Sequence, residues 1–171
     1  SVIANLSASD ETTGKDMYRR ELIKGQSARL VCGYVYADAG EGESTTDLVF
    51  AGHNMIAENG TILKEAKRFR NEMMITELDF GKLKSERRRM TTHEPSSQGN
   101  SDYVVLDFEY PEETCSKIRL TRTFEKTPFV PTVKLDRDRR CDEILTIQAM
   151  GLKKRLEHTN SKTAIVGISG G

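Results

Sequence analysis

Short β-branched runs and one amphipathic stretch alternate along the first part of the chain. Residues 1–6 (SVIANL) and 33–37 (GYVYA) each predict a strand. Between them, polar and apolar positions follow a helical period that predicts a helix over residues 15–31. Arg19 does not belong to the line of residues that recurs at every fourth position. The residues that recur at i+4 are Tyr18, Leu22, Gln26 and Leu30. Strand, helix, strand in this order favours parallel pairing of the two strands.

The next part of the chain predicts a hairpin followed by a strand and a helix. Asn59-Gly60 separates two alternating runs and is the strongest short-range hairpin signal, because both central residues of the turn need positive φ. Residues 72–80 (EMMITELDF) predict another strand, and residues 82–90 a short basic helix.

A proline-rich stretch divides this part from the rest. After a predicted strand at residues 103–108, three of the four prolines fall between 109 and 134, which indicates a domain boundary. A helix is predicted over residues 137–158 and an apolar strand over 163–168, followed by Ser-Gly-Gly. Glycines just after a strand let backbone amides converge on phosphate oxygens.

Composition excludes several classes of protein. Lysine plus arginine and aspartate plus glutamate are both 26 in 171 residues, and this balance argues against a nucleic-acid binder. No apolar run approaches the roughly 20 residues of a membrane helix, so no membrane partner is expected. The three cysteines form no CxxC pair, which favours a reduced, cytoplasmic chain. The three histidines have no metal-ligand spacing, and no metal site is expected.

Eleven segments, in one order, resemble glutamine-dependent NAD synthetases. They are residues 4–9 (ANLSAS), 18–22 (YRREL), 34–36 (YVY), 42–48 (GESTTDL), 52–56 (GHNMI), 58–60 (ENG), 77–80 (ELDF), 85–92 (SERRRMTT), 128–131 (PFVP), 139–143 (RRCDE) and 152–171, which contains LKKRLEHT and AIVGISGG. The glutaminase domain of that family is similar to nitrilases and amidases. The resemblance implies an α/β fold: residues 1–108 would be the later half of a nitrilase-like α-β-β-α sandwich, 109–135 a linker, and 136–171 the first helix and strand of a doubly wound synthetase domain, ending in the phosphate loop.

The family couples two reactions. A cysteine thiolate releases ammonia from glutamine, and ATP activates the carboxylate of nicotinic acid adenine dinucleotide, which the ammonia converts to NAD. The resemblance implies that Ser9 and Lys15 bind glutamine, and that the ATP phosphates bind Gly167, Ile168, Ser169, Gly170 and Gly171. ATP and Mg would serve the intact enzyme, which would be a homo-oligomer.

The Glu-Lys-Cys triad of the family would lie before residue 1. We therefore assign no catalytic residue, expect no cofactor in this piece, and expect the isolated chain to be inactive. Taken singly, Ser9 would be a turn or helix cap and Lys15 a solvated lysine of a first helical turn. Two other functions stay open from the residues: a stand-alone amidase of the nitrilase superfamily, and a non-catalytic α/β scaffold.

Overall fold

The computed structural model describes residues 1–43, 45–92, 104, 106–107, 119–124, 126–127 and 129–167. The chain divides into two compact units, residues 1–123 and 124–171. The described residues form a mixed α/β structure with one four-stranded sheet and three α-helices. The α/β class predicted from the sequence is therefore confirmed.

The sheet begins with the predicted strand–helix–strand unit. Strand β1 (Val2–Ser7) is followed by helix α1 (Lys15–Leu30) and strand β2 (Gly33–Asp38). The two strands pair in parallel from Val2–Gly33 to Ser7–Asp38. Their carboxyl ends therefore lie at one edge of the sheet, where the loop after β1 begins.

A hairpin completes the sheet, in the order β1-β2-β3-β4. Strands β3 (Met55–Glu58) and β4 (Thr61–Glu65) are antiparallel, and the turn residues Asn59 and Gly60 have φ of 44° and 83°, as the Asn-Gly signal predicts. The Gly60 amide donates to Ser27 Oγ at 2.7 Å, and a Cβ at Gly60 would lie 3.1 Å from the Ala28 Cβ. Glycine thus serves both the turn and the close approach of the hairpin to α1.

The buried face of α1 differs from the recurring line read in the sequence. The buried residues are Arg19, Ile23 and Ser27, each of which follows a residue of the predicted line by one position. Tyr18 and Leu22, which belong to that line, are exposed. Arg19 can be buried because acidic partners surround it, and Ser27 because it accepts the hairpin amide. The core of the unit is shared by α1 and the strands, and consists of Ile23, Cys32, Tyr34, Tyr36, Met55 and Ala57.

The predicted strand at residues 72–80 is wrong. Residues 72–79 form no strand, and Phe80 opens helix α2 (Phe80–Arg89). A strand exists only where a ladder satisfies its backbone. Side chains hold this segment instead: Glu58 Oε2 accepts the Asp79 amide at 2.6 Å, and Lys64 Nζ donates to the Ile75 carbonyl at 3.0 Å.

One arginine of the basic helix α2, Arg87, contacts the C-terminal end of α1. In α2, the Arg87 guanidinium donates to the carbonyls of Leu30 and Val31, at 2.9 and 3.0 Å. These carbonyls lie at the C-terminal end of α1, where helical partners are lacking and positive charge is favoured. Arg87 therefore caps α1.

The second unit contains helix α3 (Lys134–Thr159), which confirms the predicted helix and extends it at both ends. The helix ends at Asn160, whose φ is 51°. The predicted strand at 163–168 is wrong over residues 163–167, which are exposed and form no strand. No strand is described elsewhere in this unit to pair with them. In the predicted strand at 103–108, residues 103, 105 and 108 lie outside the described residues, and residues 104, 106 and 107 form no strand.

Candidate functional site

A cavity of about 240 Å³ opens beside β1 and the start of α1. Ser9 and Lys15, the two side chains that the resemblance implies for glutamine, both line it. Its volume lies below the roughly 300–1,000 Å³ of sites for drug-sized ligands, which suits a small metabolite. Its other polar side chains are Asn5, Ser7, Arg19 and Gln26, and the rings of Tyr18, Tyr34 and Tyr36 complete the lining.

Parallel pairing explains the position of Ser9. Because Ser7 pairs with Asp38 at the end of the ladder, the loop after β1 starts beside the last residue of β2. The Ser9 amide donates to Asp38 Oδ1 at 2.9 Å, and Ala39 donates to the same oxygen at 3.1 Å. The Asp38 carboxylate thus anchors the loop that carries Ser9.

Lys15 is the first residue of α1 and already has a partner. Its ammonium donates to Asp10 Oδ1 at 2.6 Å, with about a quarter of the Lys15 side chain exposed (27%). Lys15 holds the pKa of the Asp10 carboxyl below its ordinary value. An ammonium has three donors, so this contact leaves Lys15 able to donate to a ligand as well.

A buried arginine organises the loop between Ser9 and Lys15. The Arg19 side chain is only 3% exposed, and its Nη1 donates to Glu11 Oε2 at 2.8 Å. Its Nη2 donates to Ser9 Oγ at 3.2 Å and to the Asp10 carbonyl at 3.3 Å. A charge is buried only when it is paired and hydrogen-bonded, and these contacts meet that condition for Arg19.

His53 supports Arg19 from the side of the hairpin. Its Nδ1 lies 3.0 Å from Arg19 Nη1, and its Nε2 lies 2.8 Å from Glu65 Oε1. Because Arg19 can only donate, Nδ1 must accept, and Nε2–H then donates to Glu65. Burial, followed by the charge of Arg19, lowers the pKa of His53. The ring is therefore neutral at pH 7 in the folded protein.

Sequence reasoning did not identify Arg19 or His53 as part of a site. Arg19 lies off the recurring line of α1, and His53 has no metal-ligand spacing. Both lie in segments that resemble the family, 18–22 and 52–56, but no role in a site was predicted for either. Their partners come from separate parts of the chain, so no sequence spacing signals the cluster. Among the described residues, no group of three or more potential metal ligands is present.

The lowered pKa of His53 predicts a pH dependence of stability. The unfolded state takes up a proton near pH 6.5, whereas the folded state resists it, so stability is complete above that pH and falls below it. Between about pH 7.5 and pH 5.5, the free energy of unfolding should fall more for the wild type than for His53→Asn. Urea unfolding at the two pH values measures this. His158→Asn, at an exposed site, is the control, and its free energy of unfolding should fall as much as that of the wild type. An equal fall in the wild type, His53→Asn and His158→Asn would contradict the prediction.

The described cysteines do not provide a nucleophile at this cavity. Cys32 is fully buried, and burial raises the pKa of its thiol, so the thiolate is disfavoured. Cys141 is exposed on α3, in the other unit. Cys115 lies outside the described residues. Cys32 therefore serves as a small buried apolar residue.

The proposed phosphate-loop residues are described only at their start. Gly167 is exposed, and Ile168, Ser169, Gly170 and Gly171 lie outside the described residues. In the described part of the chain, no helix is long and apolar enough to cross a membrane.

Relatives named glutamine-dependent NAD(+) synthetase match nearly the whole chain. Those of Mycobacterium tuberculosis and Mycobacterium leprae are each 39% identical over 176 residues, which cover 99% of this chain. The resemblance to glutamine-dependent NAD synthetases is confirmed. The chain spans about a quarter (26%) of the length of these relatives.

Two further comparisons add little to the synthetase match. No model of a known protein family matches the chain. A solved glutamine-dependent NAD+ synthetase from Acinetobacter baumannii, in complex with ADP, matches with 24% identity and a TM-score of 0.44. The match covers 48% of this chain and 16% of the Acinetobacter chain. That structural similarity is too low to support an inference about this chain.

Proposed function

We propose that this chain is a segment of a glutamine-dependent NAD synthetase. Residues 1–108 would belong to the nitrilase-like glutaminase domain, 109–135 to the linker, and 136–171 to the start of the doubly wound synthetase domain. The observation that carries the proposal is the 39% identity over 99% of the chain. The cavity supports it, because Ser9 and Lys15, the two side chains that the resemblance implies for glutamine, are both among its lining residues.

In this proposal, the cavity binds the amino-acid headgroup of glutamine. The Ser9 hydroxyl accepts from Arg19 and therefore keeps its own proton to donate to a ligand. Lys15 has donors left beside the one engaged by Asp10 and provides the positive charge that an α-carboxylate requires. A donor next to a cation suits that group, and the thiolate chemistry would be supplied by residues upstream of this chain.

The second reaction would use the other unit. We propose that residues 167–171 bind the phosphates of ATP, with Mg as the accompanying ion, and that ammonia from glutamine converts nicotinic acid adenine dinucleotide to NAD in a homo-oligomeric enzyme. The 171-residue chain alone would catalyse neither reaction.

Steady-state kinetics of the full-length protein test the glutamine site. Lys15→Met removes the cation and should raise the KM for glutamine by about tenfold or more, because a charge-assisted contact is roughly twice as strong as a neutral one. Ser9→Ala should raise it less. Formation of NAD with ammonium in place of glutamine should not change, because it bypasses this cavity.

Lys24→Met is the matched control for Lys15→Met. Lys24 lies on the same helix, pairs with Glu21 and does not line the cavity, so its replacement should leave the glutamine KM unchanged. An unchanged KM in both Lys15→Met and Ser9→Ala would remove the glutamine assignment. Glutamine hydrolysis without any formation of NAD would favour the stand-alone amidase.

A further inference from the structure

We propose that Arg19 and His53 are positioning residues for the glutamine pocket. They would hold residues 9–11 in the conformation in which Ser9 faces the ligand and Asp10 pairs with Lys15. The inference rests on the proposed function, because it assigns these two side chains a role in binding that same ligand.

Arg19 touches every residue of the segment 9–11. Its Nη2 lies within 3.5 Å of the Ser9 carbonyl and 3.3 Å of the Asp10 carbonyl, and it donates to Ser9 Oγ. Its Nη1 donates to Glu11. Residues 8–12 have no regular secondary structure, so the shape of this loop depends on such side-chain contacts.

Arg19 is oriented toward the loop that contains Glu11, at 2.8 Å, and not toward the buried Asp38 carboxylate. Asp38 Oδ2 is buried and lies 3.7 Å from Arg19 Nε, yet neither of these two atoms makes a hydrogen bond. A guanidinium that served only as an ion-pair partner would favour the bidentate arrangement with that carboxylate. Arg19 instead directs Nη1 and Nη2 to Glu11, to the loop and to His53.

His53 fixes that orientation. Its neutral Nδ1 accepts from Arg19 Nη1, and its Nε2 contacts Glu65, which also pairs with Arg20. Glu65 is the last residue of β4, so its contact with Nε2 attaches the histidine ring to the sheet. The hairpin is thus connected to the pocket through two side chains that do not themselves bind glutamine in the proposal.

Kinetics of the full-length protein separate positioning from a purely structural role. Arg19→Lys keeps the charge but loses the fork that reaches Ser9, Asp10 and His53 together. We expect the KM for glutamine to rise about tenfold, whereas kcat with glutamine and the rate with ammonium should stay within about twofold of the wild type. Arg89→Lys, at an exposed site on α2, is the matched control and should leave the KM unchanged.

His53 gives a second test that does not remove the buried charge. His53→Leu removes the acceptor and should raise the glutamine KM by about threefold or more. His53→Asn offers a carbonyl oxygen close to the position of Nδ1 and should restore the KM to near the wild-type value.

The outcomes distinguish this inference from the proposed function. If Lys15→Met raises the glutamine KM but Arg19→Lys and His53→Leu do not, the positioning role is overturned and the glutamine pocket stands. If all the variants lose ammonium-driven and glutamine-driven activity equally, the cluster serves the fold alone and the positioning role is likewise overturned. If neither Lys15→Met nor Ser9→Ala changes the glutamine KM, both the pocket and this inference are overturned.

Discussion

Replacement of Arg122 by alanine should lower the free energy of unfolding by about 3–5 kcal/mol, the usual cost of removing one partner from a buried ion pair. Arg122 faces the Glu58 carboxylate with two parallel contacts, both of 3.1 Å, and the Glu58 side chain is only 1% exposed. Without Arg122, the Glu58 charge would remain buried, with the Asp79 amide as its remaining described donor.

Two comparisons make the Arg122 prediction specific. Arg119→Ala, at an exposed position three residues away, should change the free energy of unfolding by less than about 0.5 kcal/mol. Adding Glu58→Gln to Arg122→Ala should recover part of the loss, because the amide carries no charge and still accepts from Asp79. Urea unfolding followed by circular dichroism measures all three. Equal stability of Arg122→Ala and the wild type would contradict the buried-pair interpretation.

Replacement of Met55 by alanine should destabilise the fold by about 2–5 kcal/mol, because it removes a fully buried side chain from the core and leaves a cavity. Met55 opens β3 and lies in the cluster with Ile23 and Tyr36, where α1 packs on the sheet. The loss should appear in the same urea experiment as a lower midpoint at unchanged slope.

Met73 provides the matched control for Met55. It lies in the segment wrongly predicted as a strand, and its side chain is 87% exposed. Met73→Ala removes the same atoms and should cost less than about 0.5 kcal/mol. Similar losses at both positions would show that Met55 is not part of a packed core.

Elements whose partners are near in the chain were predictable. The parallel pair β1–β2 follows from the strand–helix–strand order, and the Asn59-Gly60 turn follows from the φ values it requires. Helix α3 follows from its period. In each case the deciding interaction is local or fixed by a short connection, so that one stretch of sequence contains it.

The candidate site was predictable in part. The resemblance implied Ser9 and Lys15 as glutamine ligands, which stays a prediction, and both side chains line one cavity in the structure. Arg19 and His53 lie in resembling segments too, but no role was predicted for them, because an arginine on a helix is usually solvated and an isolated histidine has many roles. The positioning role proposed for them depends on partners on the loop after β1, on β2 and on β4, which only the fold brings together.

The sequence by itself determined the class of fold, the order of most elements, the hairpin and the family that the chain resembles. The tertiary structure alone decided which face of α1 is buried, since the burial of Arg19 depends on compensation by distant acids and a neutral histidine. It also decided that residues 72–79 form no strand, although their composition favours one. The physical reason is the same in both cases: the stability of a buried charge or of an extended backbone depends on partners that a local pattern does not contain.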